Sequence, residues 1–267
     1  MAFKLGRLPV KFHPKTLSFA KYLVGGGRRY TAVLPSPAEK VFREYKTPAN
    51  AMLMLGNDLW GDCTIAGLLN KFISDSCHTG SVIIPTTADA LAAYSAITGF
   101  DINAGPSGSN PTDNGAAMTD VLAYAQNTGI TIGGKVYKIL AWAQVNINNL
   151  IERKVACDLF NGTYGGVNLP ASAQTQFVEG QQCSFEVVPG DEIEGGHCMF
   201  RPGYGSLGED FVTWANWFVK ASAPWAKTYL EEEYVIITEQ MFDEVSKLSF
   251  TGLDLATLEA DINLLNA

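Results

Sequence analysis

Cys63 and His197 are the two side chains whose types and settings could carry covalent chemistry. Cys63 lies in "GNDLWGDCTIAGLLNKF", residues 56 to 72, directly after Gly61 and Asp62, where a helical apolar period begins. A thiol at a helix N-terminus meets the positive end of the helix dipole, which favours the nucleophilic thiolate. Catalysis by cysteine also requires a histidine to exchange the proton, a group to orient that histidine, and donors for the oxyanion. Without such partners a lone cysteine reads as a small core side chain.

The sequence holds three histidines. His13 belongs to an N-terminal arm. His78 follows Cys63 by fifteen positions on the same expected helix, which at ~1.5 Å per residue puts it more than ~20 Å away. His197 follows "EGG", read as a permissive turn, and opens the apolar strand "HCMFRPGYG". It is therefore the candidate base. Cys198 points to the opposite strand face and reads as core. Cys77, Cys157 and Cys183 read as small apolar fillers.

The elements that must position these groups follow from periodicity. Ile65, Leu68, Leu69, Phe72 and Ile73 fall at helical spacing after Cys63, with Asp62 as the expected N-cap. "TTADALAAYSAITGF" predicts a helix capped at Thr87 or its neighbour and stopped by Gly99. "DINAGPSGSNPTDNG" reads as a loop, "AAMTDVLAYAQNTGI" as a helix with Gly129 as C-cap, and "NINNLIERKVA" as a short helix. Then come β-rich runs: "KVYKILAWAQV", "VACDLFN", "CSFEVVPG", "HCMFRPGYG", "DFVTWANWF" and "EYVIIT". "YGGVNLP" reads as a turn; no Lys-Ser/Thr follows it to make a phosphate loop. Helices first and strands second predict an α+β fold, a helical half packed on an antiparallel, barrel-like half.

Composition narrows the function classes. The 267 residues are 47% apolar and 17% charged, enough for a sizeable core. A net charge of −8 with no basic block argues against nucleic acid. No run approaches the ~18 apolar residues of a membrane span, and no secretory leader is recognised. Five scattered cysteines, without a Cys-x-x-Cys pair, predict free thiols, no metal site and a cytoplasmic setting. No cofactor is expected.

In order and spacing these parts resemble the papain-like cysteine peptidases. That family has an oxyanion-hole glutamine six residues before the nucleophile, where this chain has Asn57. Its histidine opens a strand of the form H-A-x-x-x-x-G-Y-G, matched by residues 197 to 205. An asparagine closely followed by tryptophan comes next, here Asn216 and Trp217 in "VTWANWF", then "APWAKTYLEEEYVII". "NGAAMTDVLAYAQNTGI" and "NINNLIERKVACDLF" are similar to the segments between. The resemblance spans roughly residues 31 to 240 and is to a divergent member of bacterial or phage type.

The resemblance implies acyl transfer on a peptide or protein substrate. Cys63 is the implied nucleophile, His197 the base and acid, Asn216 the orienting group, and Asn57 with the Cys63 amide the oxyanion hole. Trp214, Trp217, Gly195 and Gly196 are the implied substrate neighbours; for the two tryptophans, packing is the competing reading. The implied organisation is an arm over residues 1–30, a catalytic domain over 31–245 and an amphipathic C-terminal helix over 246–267. A phage-encoded member would be virion-associated.

The chain departs from the family around the nucleophile. Trp60 replaces a structural cysteine, Thr64 replaces an aromatic, and Asn57 is one methylene shorter than glutamine. These departures support a second reading, a fold of this type with weak or lost chemistry serving as a binding or structural protein. A third reading is a proenzyme whose residues 1–50 cover the cleft.

Overall fold

In a computed structural model the described residues are 3–14, 16–21, 51–178, 181, 183–214, 217–243, 246–249 and 254–266. Asn216 lies outside them, as do residues 22–50, which include the last part of the expected N-terminal arm. The elements in chain order begin with β1 (Leu17–Ser18), α1 (Phe19–Lys21), α2 (Cys63–Thr79), α3 (Thr87–Thr98) and α4 (Met118–Asn127). They continue through β2 (Ile130–Ile132), β3 (Lys135–Tyr137), β4 (Ile139–Gln144), α5 (Leu150–Leu159), β5 (Thr163–Pro170) and α6 (Ala171–Gln176). The remainder are β6 (Ser184–Phe185), β7 (Ile193–Gly205), β8 (Gly208–Val212), β9 (Val219–Ala221), α7 (Ala223–Tyr229), β10 (Leu230–Thr238) and α8 (Leu255–Asn266).

The fold is mixed α+β. Its main sheet runs β1-β4-β10-β5-β7-β8-β9-β6. The inner pairs are antiparallel, while β1–β4 and β6–β9 at the two edges are parallel. Among the described residues the sheet does not close, so it is an open sheet rather than a barrel.

Helix α2 is the central column. Its Cys63, Ile65, Leu68, Leu69 and Phe72 pack with Val121 and Leu122 of α4 and with Trp142, Tyr164, Cys198, Tyr234 and Ile236 of the sheet. Its polar face is also enclosed, so each polar group there needs a partner. Lys71 donates to Asp75 at 2.5 Å and to the Phe160 carbonyl at 2.8 Å. Asn70 bonds both the amide and the carbonyl of Leu53 at 2.9 Å, tying the preceding loop to the helix.

Several local expectations are met, because cap chemistry is local. The Thr86 hydroxyl and Asp89 make a reciprocal capping box on α3, and Gly99 ends it in the left-handed conformation. Leu258 of α8 is buried with Phe19, Val155 and Phe242, so the C-terminal helix packs on its own chain.

Two segments differ from the sequence reading. "VACDLF" is not a strand; it continues the helix begun at Leu150. "YGGVNLP" is not a turn; it is the body of β5, buried between β10 and β7. Its glycines serve close packing. A β-carbon on Gly166 would meet Met118 Sδ at 2.6 Å, Arg7 Cδ at 2.7 Å and Glu232 Cγ at 2.8 Å.

Candidate active site

The approach to α2 is a tight loop. Leu55 and Gly56 both have positive φ, 62° and 96°, and the Gly56 carbonyl accepts from the amides of Leu59 and Trp60 at 2.9 Å. This loop holds Asn57, which is buried, with an Oδ1 that has no hydrogen-bond partner. Asp62 stands at the N-cap position, but its side chain makes no capping bond. Both its carboxylate oxygens are buried without a partner, and burial drives its pKa well above the usual carboxylate range. The anchoring acid is instead Asp113, which accepts from the Gly61 amide and the Tyr94 hydroxyl, both at 2.9 Å.

Cys63 opens α2 and is fully buried. Burial pushes its thiol up to about 12, although the amides of Cys198 and Gly6 act on it in the opposite sense. The strand β7 thus lies against the head of α2 at the residue after His197. His197 is the fifth residue of that strand, not its first, and "EGG" is strand rather than turn. Its Nε2 is 2.6 Å from the Thr213 hydroxyl. Its ring lies 4.9 Å from that of Trp214 at 34°. Nδ1 is buried with no hydrogen-bond partner. Burial, helped by the nearby Arg7 charge, lowers the imidazole to about 3. Burial thus favours the neutral thiol at Cys63 and the neutral imidazole at His197.

The remaining sequence candidates separate. Trp214 is buried beside His197, and Trp217 stacks on Phe177 at 6.1 Å and 5°. Gly195 lies against the Leu5 side chain and Gly196 against Arg7. Thr213 was not singled out from sequence, since a threonine in an apolar strand carries no local signal of histidine contact.

The cleft is filled by the chain itself. Residues 3–8 form a strap between the loop at Gly115–Ala116 and the start of β7. The Arg7 amide donates to the Gly196 carbonyl at 3.0 Å, the Leu8 amide to the Ala116 carbonyl at 3.0 Å, and the Ala116 amide to the Gly6 carbonyl at 2.8 Å. The strap is parallel to residue 116. Phe3 stacks on Trp214 at 4.5 Å and 11°, and its backbone bonds both ends of the Gln174 amide. Lys4 lies 3.6 Å from Asp113. β-Carbons on Gly6, Gly115 or Gly196 would collide with backbone across the contact.

Among the described residues no group of three or more His, Cys, Asp or Glu side chains could hold a metal ion. No described helix is long and apolar enough to cross a membrane.

No family model matches the chain, and no curated protein sequence does. Solved structures do match. Xylellain, a cysteine protease from Xylella fastidiosa, aligns over 89% of this chain and 97% of its own, with TM-score 0.65 and 15% identity. Procathepsin B S9 from Trypanosoma congolense aligns over 88% and 86%, with TM-score 0.57 and 10% identity. The ragweed pollen allergen and cysteine protease Amb a 11, in its proform, aligns over 78% and 67%, with TM-score 0.54 and 15% identity. The fold is that of the papain-like cysteine proteases.

Proposed function

We propose that this chain is a thiol-dependent peptidase or amidase, held latent by its own residues 3–8. The observation that carries this reading is the strap: an extended peptide lies across Cys63, held by main-chain bonds on both sides of the cleft. Main-chain bonding is indifferent to side chains, so the same groove suits an extended peptide substrate. Two of the structural neighbours are proforms by name, which agrees with latency.

With the strap out, water reaches Cys63 and His197, and the desolvation that keeps both neutral is relieved. The thiol proton passes to His197 Nδ1. The thiolate attacks the substrate carbonyl carbon, and the amide of Cys63, with Asn57, receives the oxyanion. His197 gives its proton to the leaving amine as the C–N bond breaks. Water then attacks the thioester, losing a proton to His197, and the acid product leaves as the thiol re-forms. Thr213 holds the imidazole by Nε2 in the closed form; Asn216 is the orienting residue expected from the sequence. Trp214 shields the ring.

The test is site-resolved alkylation of Cys63 by iodoacetamide, followed by mass spectrometry, in the parent chain and in Gly6→Ala. A β-carbon at position 6 collides with Gly61 and weakens the seating of the strap in that variant. Labelling of Gly6→Ala at about pH 5–6, lost on adding His197→Ala, is the signature of a thiolate–imidazolium pair. Labelling that rises only near about pH 8.5 marks an ordinary thiol and favours the binding or structural role.

A further inference from the structure

Building on the peptidase reading, we propose that the pocket filled by Arg7 receives the arginine side chain of a peptide substrate, with Glu232 as the selecting residue. Arg7 is the neighbour of Gly6, the strap residue whose amide acts on the Cys63 thiol. Its pocket therefore opens one residue from the reacting atom. The main-chain bonds that flank Arg7 seat any extended chain in that register, so a substrate residue must face the same pocket.

The pocket is built from the body of the protein, not from the strap. Gly166 and Asn168 come from β5, Met118 from α4, and Glu231 and Glu232 from β10. Arg7 Nη1 donates to Glu232 at 2.8 Å. Nη2 donates to Glu231 at 2.5 Å, to the Asn168 side chain at 2.9 Å and to the Val167 carbonyl at 3.2 Å. The Arg7 and Glu232 side chains are each only 1% exposed. Gly166 makes the room, since a methyl there would strike both the Arg7 stem and Glu232.

Removal of the strap leaves Glu232 with only the Tyr234 hydroxyl, at 2.7 Å, among the described residues that bond it. A buried carboxylate stripped of its cation is strongly unfavourable, and an aliphatic side chain in the pocket leaves it so. A lysine supplies charge but not the planar fork that here spans two carboxylates, an amide and a carbonyl. The chemistry left behind selects arginine.

The experiment uses the full chain carrying Gly6→Ala. Alanine-rich hexapeptides with arginine directly before or directly after a glycine are compared with the same peptides carrying leucine, cleavage being followed by mass spectrometry. Charge-assisted hydrogen bonds at this level give an arginine preference in kcat/KM of about 10- to 100-fold. Adding Glu232→Gln, and separately Gly166→Ala, brings the arginine-to-leucine ratio close to one. Equal cleavage of both peptides, or a ratio that survives both substitutions, overturns the proposal. If neither peptide is cleaved, the peptidase reading fails. The pocket is then judged by fluorescence anisotropy of labelled Phe-Lys-Leu-Gly-Arg-Leu against the peptide with leucine for arginine. Tighter binding of the arginine form, lost in Glu232→Gln, supports the pocket, and equal binding overturns it.

Discussion

Gly6 of the strap and Gly61 at the head of α2 are in backbone contact, with no space for a β-carbon on Gly6. A side chain at position 6 therefore acts directly on the seating of the strap against α2. Gly6→Ala forces a shift against rigid backbone, and overpacking of this kind costs about 1–3 kcal/mol. The open population rises about 10- to 100-fold, read as the rate of Cys63 alkylation at pH 7. An unchanged rate would show that the strap does not guard the thiol.

Acid should also loosen the strap. Burial beside Arg7 lowers His197 from 6.5 to about 3 in the closed form. A depressed folded value means that the stabilisation is present above 6.5 and is lost as pH falls toward 3. Glu232 lies on the other side of Arg7, its pKa raised by burial, and its protonation in acid loosens Arg7 in the same direction. Limited proteolysis of residues 3–8 should accelerate between pH 6.5 and 4 in the parent chain, and His197→Phe should flatten that dependence. Proteolysis independent of pH in the parent chain would refute the link.

Thr213 is the side chain that holds His197 in the closed form, at 2.6 Å. In the Gly6→Ala background, Thr213→Val should lower kcat about tenfold, the worth of one buried hydrogen bond, and move the lower limb of the pH profile. Thr213→Ser should restore both. A normal profile in Thr213→Val would assign the orienting role to Asn216 instead.

Asp62 is a buried acid with no partner, flanked by Asp58 and Asp113. Its folded pKa lies well above 3.8, so its contribution is favourable below that pH and is lost as pH rises. Asp62→Asn should raise the melting temperature at pH 7, and the gain should vanish below pH 3.8. A loss of stability at pH 7 would mean that the carboxyl has a partner after all.

Lys71 and Asp75 form a fully enclosed ion pair on α2, with Asn161 and Thr238 also donating to Asp75. Lys71→Met leaves that carboxylate uncompensated, and breaking one side of a buried pair costs about 3–5 kcal/mol. Denaturant unfolding should show a loss of this size; a loss under about 1 kcal/mol would mean that Asp75 is neutral in the parent chain.

What the sequence alone determined is what depends on near neighbours. The period after Cys63 defines α2, Thr86 with Asp89 and Gly99 bound α3, and His197 with its Gly-Tyr-Gly marks a strand. These signals are legible because caps and periodicity act within a few residues. "YGGVNLP" failed as a turn because Gly166 answers to side chains from distant elements, Met118, Arg7 and Glu232, which local propensity does not register. "VACDLF" failed because its β-branched and aromatic residues were outweighed by burial of α5 against β4 and β10.

Only the tertiary structure decided how the candidate site is set. Thr213 meets His197 across sixteen residues, and Arg7 meets Glu232 across 225. The cover over Cys63 comes from residues 3–8, seated both by main-chain bonds and by Arg7 among carboxylates of β10. Main-chain donors and acceptors are the same in every residue, and the side-chain partners of Arg7 lie at least 161 residues away, so neither contact is legible in residues 3–8 themselves.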